Sequence, residues 1–121
     1  VRLRSSTVQI LAMALHELAT NSMKYGALRH PGAKLSIRWR MGETDARGRP
    51  CLDIEWLESG VPMMTQDLKA LGRGQGRELI ERALPYQLDA ETRYELRPDG
   101  IRCAISLPVS ASSLKREEDH A

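Results

Sequence analysis

Glu17, Asn21 and Lys24 follow one another at spacings of four and three residues, so a helix would carry an acid, an amide and an ammonium in line down one side. An ordinary solvated face would hold Lys, Glu, Arg and Gln in mixture, whereas Glu-x-x-x-Asn-x-x-Lys with apolar Met13 on the same side reads as the wall of a polar pocket. Further along, Gly72-Arg73-Gly74-Gln75-Gly76 opens a helical pattern. Bare backbone N–H groups at a helix N-terminus are the physical parts of an anion or phosphate site. The run is neither a dinucleotide fingerprint, since no strand leads directly into it, nor a P-loop, since G-K-[ST] is absent. A third group is Glu58. The period-2 register of its strand places it on the face of Leu52, Ile54 and Trp56, toward the interior, where an ionised carboxylate needs donors or a cleft. The plainer alternative is a strand that ends there and turns Glu58 to water.

The elements that must position these groups are legible from pattern. Ser6 to Ala27 reads as a helix, opened by the capping-box pattern Ser6-Thr7-Val8-Gln9 and closed by Gly26, with Val8, Leu11, Leu15, Leu18 and Ala19 as its core stripe. Lys34 to Met41 alternates strictly and predicts a half-buried strand with Leu35, Ile37, Trp39 and Met41 inward. After the polar stretch Gly42 to Pro50, residues Cys51 to Glu58 return as its hairpin partner, with Arg38 and Arg40 set near Asp53 and Glu55. Ser59 to Gly76 loses periodicity and predicts a long mobile loop. A helix from about Arg77 to Leu84 follows, ended near Pro85. Two strands close the chain, Glu91 to Leu96 and Ile101 to Leu107, joined by the turn Arg97-Pro98-Asp99-Gly100. The order predicts an α+β fold, a two-layer sandwich with helices on one face of a mixed, largely antiparallel sheet. Residues 1–108 form one domain, and 109–121, rich in Ser, Lys and Glu, read as a disordered tail.

Composition narrows the function classes. A chain of 121 residues is one domain, too short for a sensor together with an effector. It holds no apolar run long enough to span a membrane and its start, Val1-Arg2-Leu3-Arg4, lacks a signal peptide's apolar core, which places it in the cytoplasm without membrane contact. A first residue other than Met suggests a piece of a longer protein. Cys51 and Cys103 are isolated thiols, suited to a core and not to a zinc knuckle. Residues 1–50 hold nine basic and three acidic side chains, a balance that raises nucleic acid binding. Three of those nine cations, Lys34, Arg38 and Arg40, alternate on one strand face, and few aromatics are available to stack on bases, so no nucleic acid partner is expected.

At the same residues the chain resembles the HWE histidine kinases. His16-Glu17-Leu18-Ala19-Thr20-Asn21-Ser22-Met23-Lys24-Tyr25-Gly26-Ala27-Leu28 is similar to their N box, Trp56-Leu57-Glu58 to their W-x-E element, and Arg73 to Glu81 to the glycine box that follows their ATP lid. The resemblance implies the Bergerat ATP-binding fold, ATP and Mg²⁺ as cofactors, and a protein histidine kinase of bacterial two-component signalling. On it, Asn21 is the Mg²⁺ ligand, Glu17 the catalytic acid of the N box, Lys24 a phosphate contact and Glu58 the acceptor for the adenine amino group. Gly60 lets the backbone approach the purine, Tyr25 packs near the base, and Gly72, Gly74 and Gly76 border the phosphates. His16 marks the motif without an assigned role. Two positions depart from the family pattern: Gly60-Val61 stands where paired glycines are usual, and Gln75 replaces a common aromatic. The implied partners are an upstream sensor domain, a dimerisation domain bearing the phosphoacceptor His, and a downstream response regulator. None of His16, His30 and His120 fits the phosphoacceptor. The alternative reading is a nucleotide-gated interaction module without phosphotransfer.

Overall fold

The computed structural model describes residues 3–109. Helix α1 spans Ser5–Tyr25. Arg4 is its N-cap, in extended backbone and without a side-chain cap bond, so the capping box expected at Ser6 is not used. Leu3, packed against the core, anchors the start of the helix one residue early and leaves Ser6 inside the first turn. The buried stripe is Leu11, Ala14, Leu18 and Ser22, rotated from the expected one, and Val8 is 48% exposed.

Four strands follow the predicted positions closely: β1 (Lys34–Met41), β2 (Cys51–Ser59), β3 (Glu91–Arg97) and β4 (Gly100–Pro108). They form one sheet in the order β1-β2-β4-β3, with every neighbouring pair antiparallel rather than mixed. The hairpin register sets Arg38 opposite Glu55 and Arg40 opposite Asp53, as expected. The carboxylates nevertheless turn to the other neighbour: Glu55 accepts from Arg102 at 3.0 Å and Asp53 from Ser106 at 2.8 Å, both on β4. Central strand β2 thus has two flanks to choose from, and the forked Arg102 takes Glu55.

The inward face of the sheet is a core of Ile54, Trp56, Tyr94, Ile101, Cys103, Ile105 and Leu107 against Leu11, Ala14 and Leu18 of α1. Strand β1 departs from its expected burial. Its apolar face is largely open, with Trp39 71% exposed, because β1 is the edge strand and the helical layer stops short of it.

The segment expected to be loop carries a helix, α2 (Thr65–Arg73), capped through Asp67 and seated on buried Leu71. Its Gly content concealed a short amphipathic turn pattern, Leu68 and Leu71, that tertiary packing makes sufficient. The next helix is longer than predicted: α3 (Gln75–Glu78), a π-helical turn (Leu79–Ala83) and α4 (Leu84–Leu88) run on without a break. Pro85 lies inside this run and does not end it. The widened turn before it, in which the Leu84 N–H reaches Leu79 O, makes room for a ring that a regular helix excludes. Val109, placed in the tail by the sequence, is buried and donates to Pro50 O at 2.8 Å; the rest of that expected tail, 110–121, lies outside the described residues.

Candidate functional site

Glu58 is 1% exposed. The expected inward register therefore holds, and the carboxylate meets three neutral donors: Ser22 Oγ at 2.7 Å and the Ala27 N–H at 2.7 Å on Oε1, and Trp56 Nε1 at 2.9 Å on Oε2. Two of the three come from the end of α1 and the turn after it, so the carboxylate fastens that end to β2. The backbone gives way to let it in. Gly26 caps α1 in extended conformation, not the left-handed one expected of a closing glycine, and a Cβ there would collide with Glu58 Oε1. Gly100 passes directly over the Glu58 carbonyl at φ 154°, and a Cβ there would strike it. A carboxylate offers about four acceptor positions, so one on Oε2 remains.

One residue before Ser22, Asn21 faces a different neighbour. The glycine-rich segment comes to rest on α1 with Gly76 buried, and a Cβ at 76 would lie 2.9 Å from Asn21 Nδ2 and 3.4 Å from Glu17 Cβ. Glu17 and Asn21, both half-buried, share this face as their spacing requires. A larger residue at 76 would push the Asn21 amide aside. The chemistry of the pair, an amide oxygen and a carboxylate one turn apart, fits the oxygen preference of Mg²⁺, with remaining positions left to phosphates and water.

The other expected site residues are less closely joined. Lys24 is exposed in the last turn of α1, and Tyr25 is half-buried against the core. Gly60 leaves β2 at φ 70°, a left-handed conformation that favours glycine, and lies against Gly32 and Ala33. Gly72 and Gly74 belong to the end of α2, as last-turn residue and C-cap, rather than to an open loop. His16 is exposed and lines a groove beside the site.

Sequence reasoning missed Ser22, Gly26 and Trp56 as members of the Glu58 cluster. The helical spacing of Ser22 four residues after Leu18, on the buried stripe, was the available signal. It also missed Arg77, which pairs with Glu81 at 2.6 Å and lies 5.7 Å over the Tyr94 ring. Tyr94 is buried with no partner for its hydroxyl, and burial pushes its ionisation up. Burial also raises the Cys103 thiol to about 12, so Cys103 offers no thiolate here; both cysteines are free and buried.

Fold and site together define a two-layer α/β sandwich whose first helix presents an Asn and a Glu to a glycine-rich segment. No protein-family model matches the chain. It is 31% identical over 109 residues to blue-light-activated histidine kinase 1 of Erythrobacter litoralis, a match covering 90% of this chain and 28% of that protein. It is also 31% identical over 101 residues to the blue-light-activated histidine kinase of Brucella anthropi, covering 84% of this chain and 20% of that one. The chain is thus related to histidine kinases, and it spans less than a third of the length of these relatives.

Proposed function

We propose that this chain is the ATP-binding catalytic domain, residues 1–108, of a bacterial sensor histidine kinase of the HWE group with the Bergerat fold. It would act in the cytoplasm and transfer the γ-phosphoryl of ATP to a histidine on a separate dimerisation domain, releasing ADP. The observation that carries the reading is the approach of Gly76 to Asn21 and Glu17, which sets a backbone suited to phosphate against an oxygen pair suited to Mg²⁺. Similarity to histidine kinases gives it direction. No helix among the described residues is long and apolar enough to cross a membrane.

In this reading Asn21 would hold Mg²⁺, which would neutralise charge on the triphosphate. Lys24 adds a point charge from the last turn of α1, and Gly72, Gly74 and Gly76 border the triphosphate. Glu17 orients the terminal phosphate for in-line attack. Glu58 offers its remaining acceptor position to the adenine amino group, with Gly60 and Tyr25 beside the base. Catalysis is positioning and charge stabilisation.

The sensor domain and the response regulator complete the pathway. Titration of the chain with ATP, with and without magnesium, tests the reading, followed by incubation with a histidine-bearing dimerisation fragment. Magnesium-dependent binding and a phosphorylated fragment are expected. Binding without phosphotransfer would favour the nucleotide-gated interaction module, and no binding would overturn both.

A further inference from the structure

The sheet has two edges, β1 and β3. Among the described residues each presents a row of unpaired N–H and C=O groups, because every second residue of an antiparallel strand turns both groups away from its neighbour. On the face away from the helices the two edges are charged differently. Strand β1 carries Lys34, Ser36, Arg38 and Arg40 there, with no acid, so two copies meeting at β1 would set cation against cation. Strand β3 carries Glu91, Arg93, Glu95 and Arg97, acid and base in strict alternation, while Thr92, Tyr94 and Leu96 take the helix side.

We infer that β3 is the docking edge for a second copy of this chain, the two strands running antiparallel about a two-fold axis through Tyr94 so that the two sheets join into one. In that register Glu91 faces Arg97 of the second copy and Arg93 faces its Glu95, and the two-fold repeats both pairs, so every charge on the strand meets its opposite. The register is selected by charge. Sliding either strand by two residues in either direction, the smallest step that keeps Tyr94 on the helix side, opposes Glu to Glu and Arg to Arg in every overlapping pair. Charged edges ordinarily keep copies apart; this one repels in the neighbouring registers and attracts in the central one.

The ion pairs within one copy leave the exchange open. Glu95 gathers Arg97 at 2.9 Å, Arg102 at 3.5 Å and Arg93 at 4.0 Å, three cations around one acid. Glu91 is exposed, and its side chain forms no ion pair among the described residues. Turning Arg97 to Glu91 of the second copy gives that acid a partner and leaves Glu95 to Arg102 and to the second copy's Arg93. A two-fold axis normal to the sheet keeps both helical layers on the same side. An unrelated strand would have to reproduce the alternation, whereas a second copy supplies it by symmetry.

The inference takes nothing from the kinase reading, and its test uses no nucleotide, so the two fail separately. With seven residues a side the interface is small and the dimer weak. Sedimentation equilibrium of the 121-residue chain over about 10–1,000 µM should show monomer and dimer in exchange, with a midpoint below about 1 mM. Glu91→Arg and Arg97→Glu, each alone, set like charges opposite at both ends of the interface and should weaken the dimer by at least about fivefold. An equimolar mixture of the two variants brings opposite charges together again and should recover wild-type association. Arg93→Glu and Glu95→Arg repeat the design at the centre of the strand, and serve if an end variant loses its far-UV circular dichroism spectrum. A chain that stays monomeric to about 1 mM overturns the inference. So does a dimer that the single variants leave intact, which would assemble through another surface, and so does a mixture that associates no better than its components.

Discussion

Removing the Glu58 carboxylate should unfasten α1 from the sheet. In Glu58→Ala the Ser22 hydroxyl, the Ala27 N–H and the Trp56 indole N–H lose their acceptor where water has no access. An unsatisfied buried donor costs about 1–3 kcal/mol, and neighbouring losses do not add fully, so the expected total is about 4 kcal/mol. Domains of this size are stable by about 5–15 kcal/mol, and each kcal/mol moves the midpoint by roughly 3–5 °C, so Tm should fall by about 12–20 °C. Glu58→Gln keeps one acceptor oxygen but turns an NH₂ toward a donor; its loss should be about 2 kcal/mol, between wild type and Ala. Urea unfolding at constant m, with thermal scanning, measures both. Wild-type midpoints in both variants would refute the fastening role. Glu58→Gln also separates the adenine role from stability. Its affinity for ATP should fall more than its affinity for inorganic tripolyphosphate, and an equal loss on both ligands would remove the adenine contact.

Asn21→Ala should abolish magnesium-dependent nucleotide binding and leave the far-UV circular dichroism and Tm near wild type, since Asn21 is half-buried and outside the core stripe; calorimetric titration with and without magnesium checks this. Gly76→Ala places a methyl group 2.9 Å from Asn21 Nδ2, and should cost about 1–3 kcal/mol of stability together with at least tenfold in ATP affinity, read by unfolding and titration. Asp45 gathers the Arg47 and Arg49 N–H groups and the Arg49 side chain in the β1–β2 loop, and the Arg49 backbone bond first, then its side chain, holds the carboxyl below its ordinary value. A depressed carboxyl stabilises above its unfolded pKa of about 3.9 and loses that contribution as pH falls through the folded value. Amide exchange of residues 42–50 should thus stay slow down to about pH 4 and quicken below it, and Asp45→Asn should remove the pH step.

Strand positions were legible because period-2 alternation is local: β1 and β2 can be read to within a residue from their own side chains. What alternation cannot carry is which face finds a roof. Trp39 and Ile54 stand opposite each other in the same inward pattern, yet only the second is buried in the core, because sheet order and helix placement are set by contacts distant in sequence. Helix α2 was hidden for a related reason, as its nine residues hold too little periodic signal and its stability comes from burying Leu71. For the site, the spacing of Glu17 and Asn21 and the register of Glu58 could be read directly. The arrival of Gly76 on Asn21 could not, since it depends on where α2 ends and α3 begins.

Asn21 and Ser22 are consecutive residues about 100° apart around α1, and this adjacency ties the site to the core. Ser22 is held at 2.7 Å by Glu58, and the Leu28 N–H returns to the same hydroxyl at 3.1 Å. The rotation of the last turns of α1 is fixed by those bonds, and with it the direction of Asn21 toward Gly76. In the proposed function Asn21 would meet a metal and a phosphate, and a group with that task gains from standing on a helix whose adjoining side is locked in this way. The same logic explains why the helix ends at a glycine lacking the left-handed turn: at position 26 the requirement is space for a carboxylate, and the backbone conformation follows from it. Loss of the Ser22 hydroxyl would therefore loosen Asn21 without touching it, so the core stripe of α1 acts as part of the site's geometry.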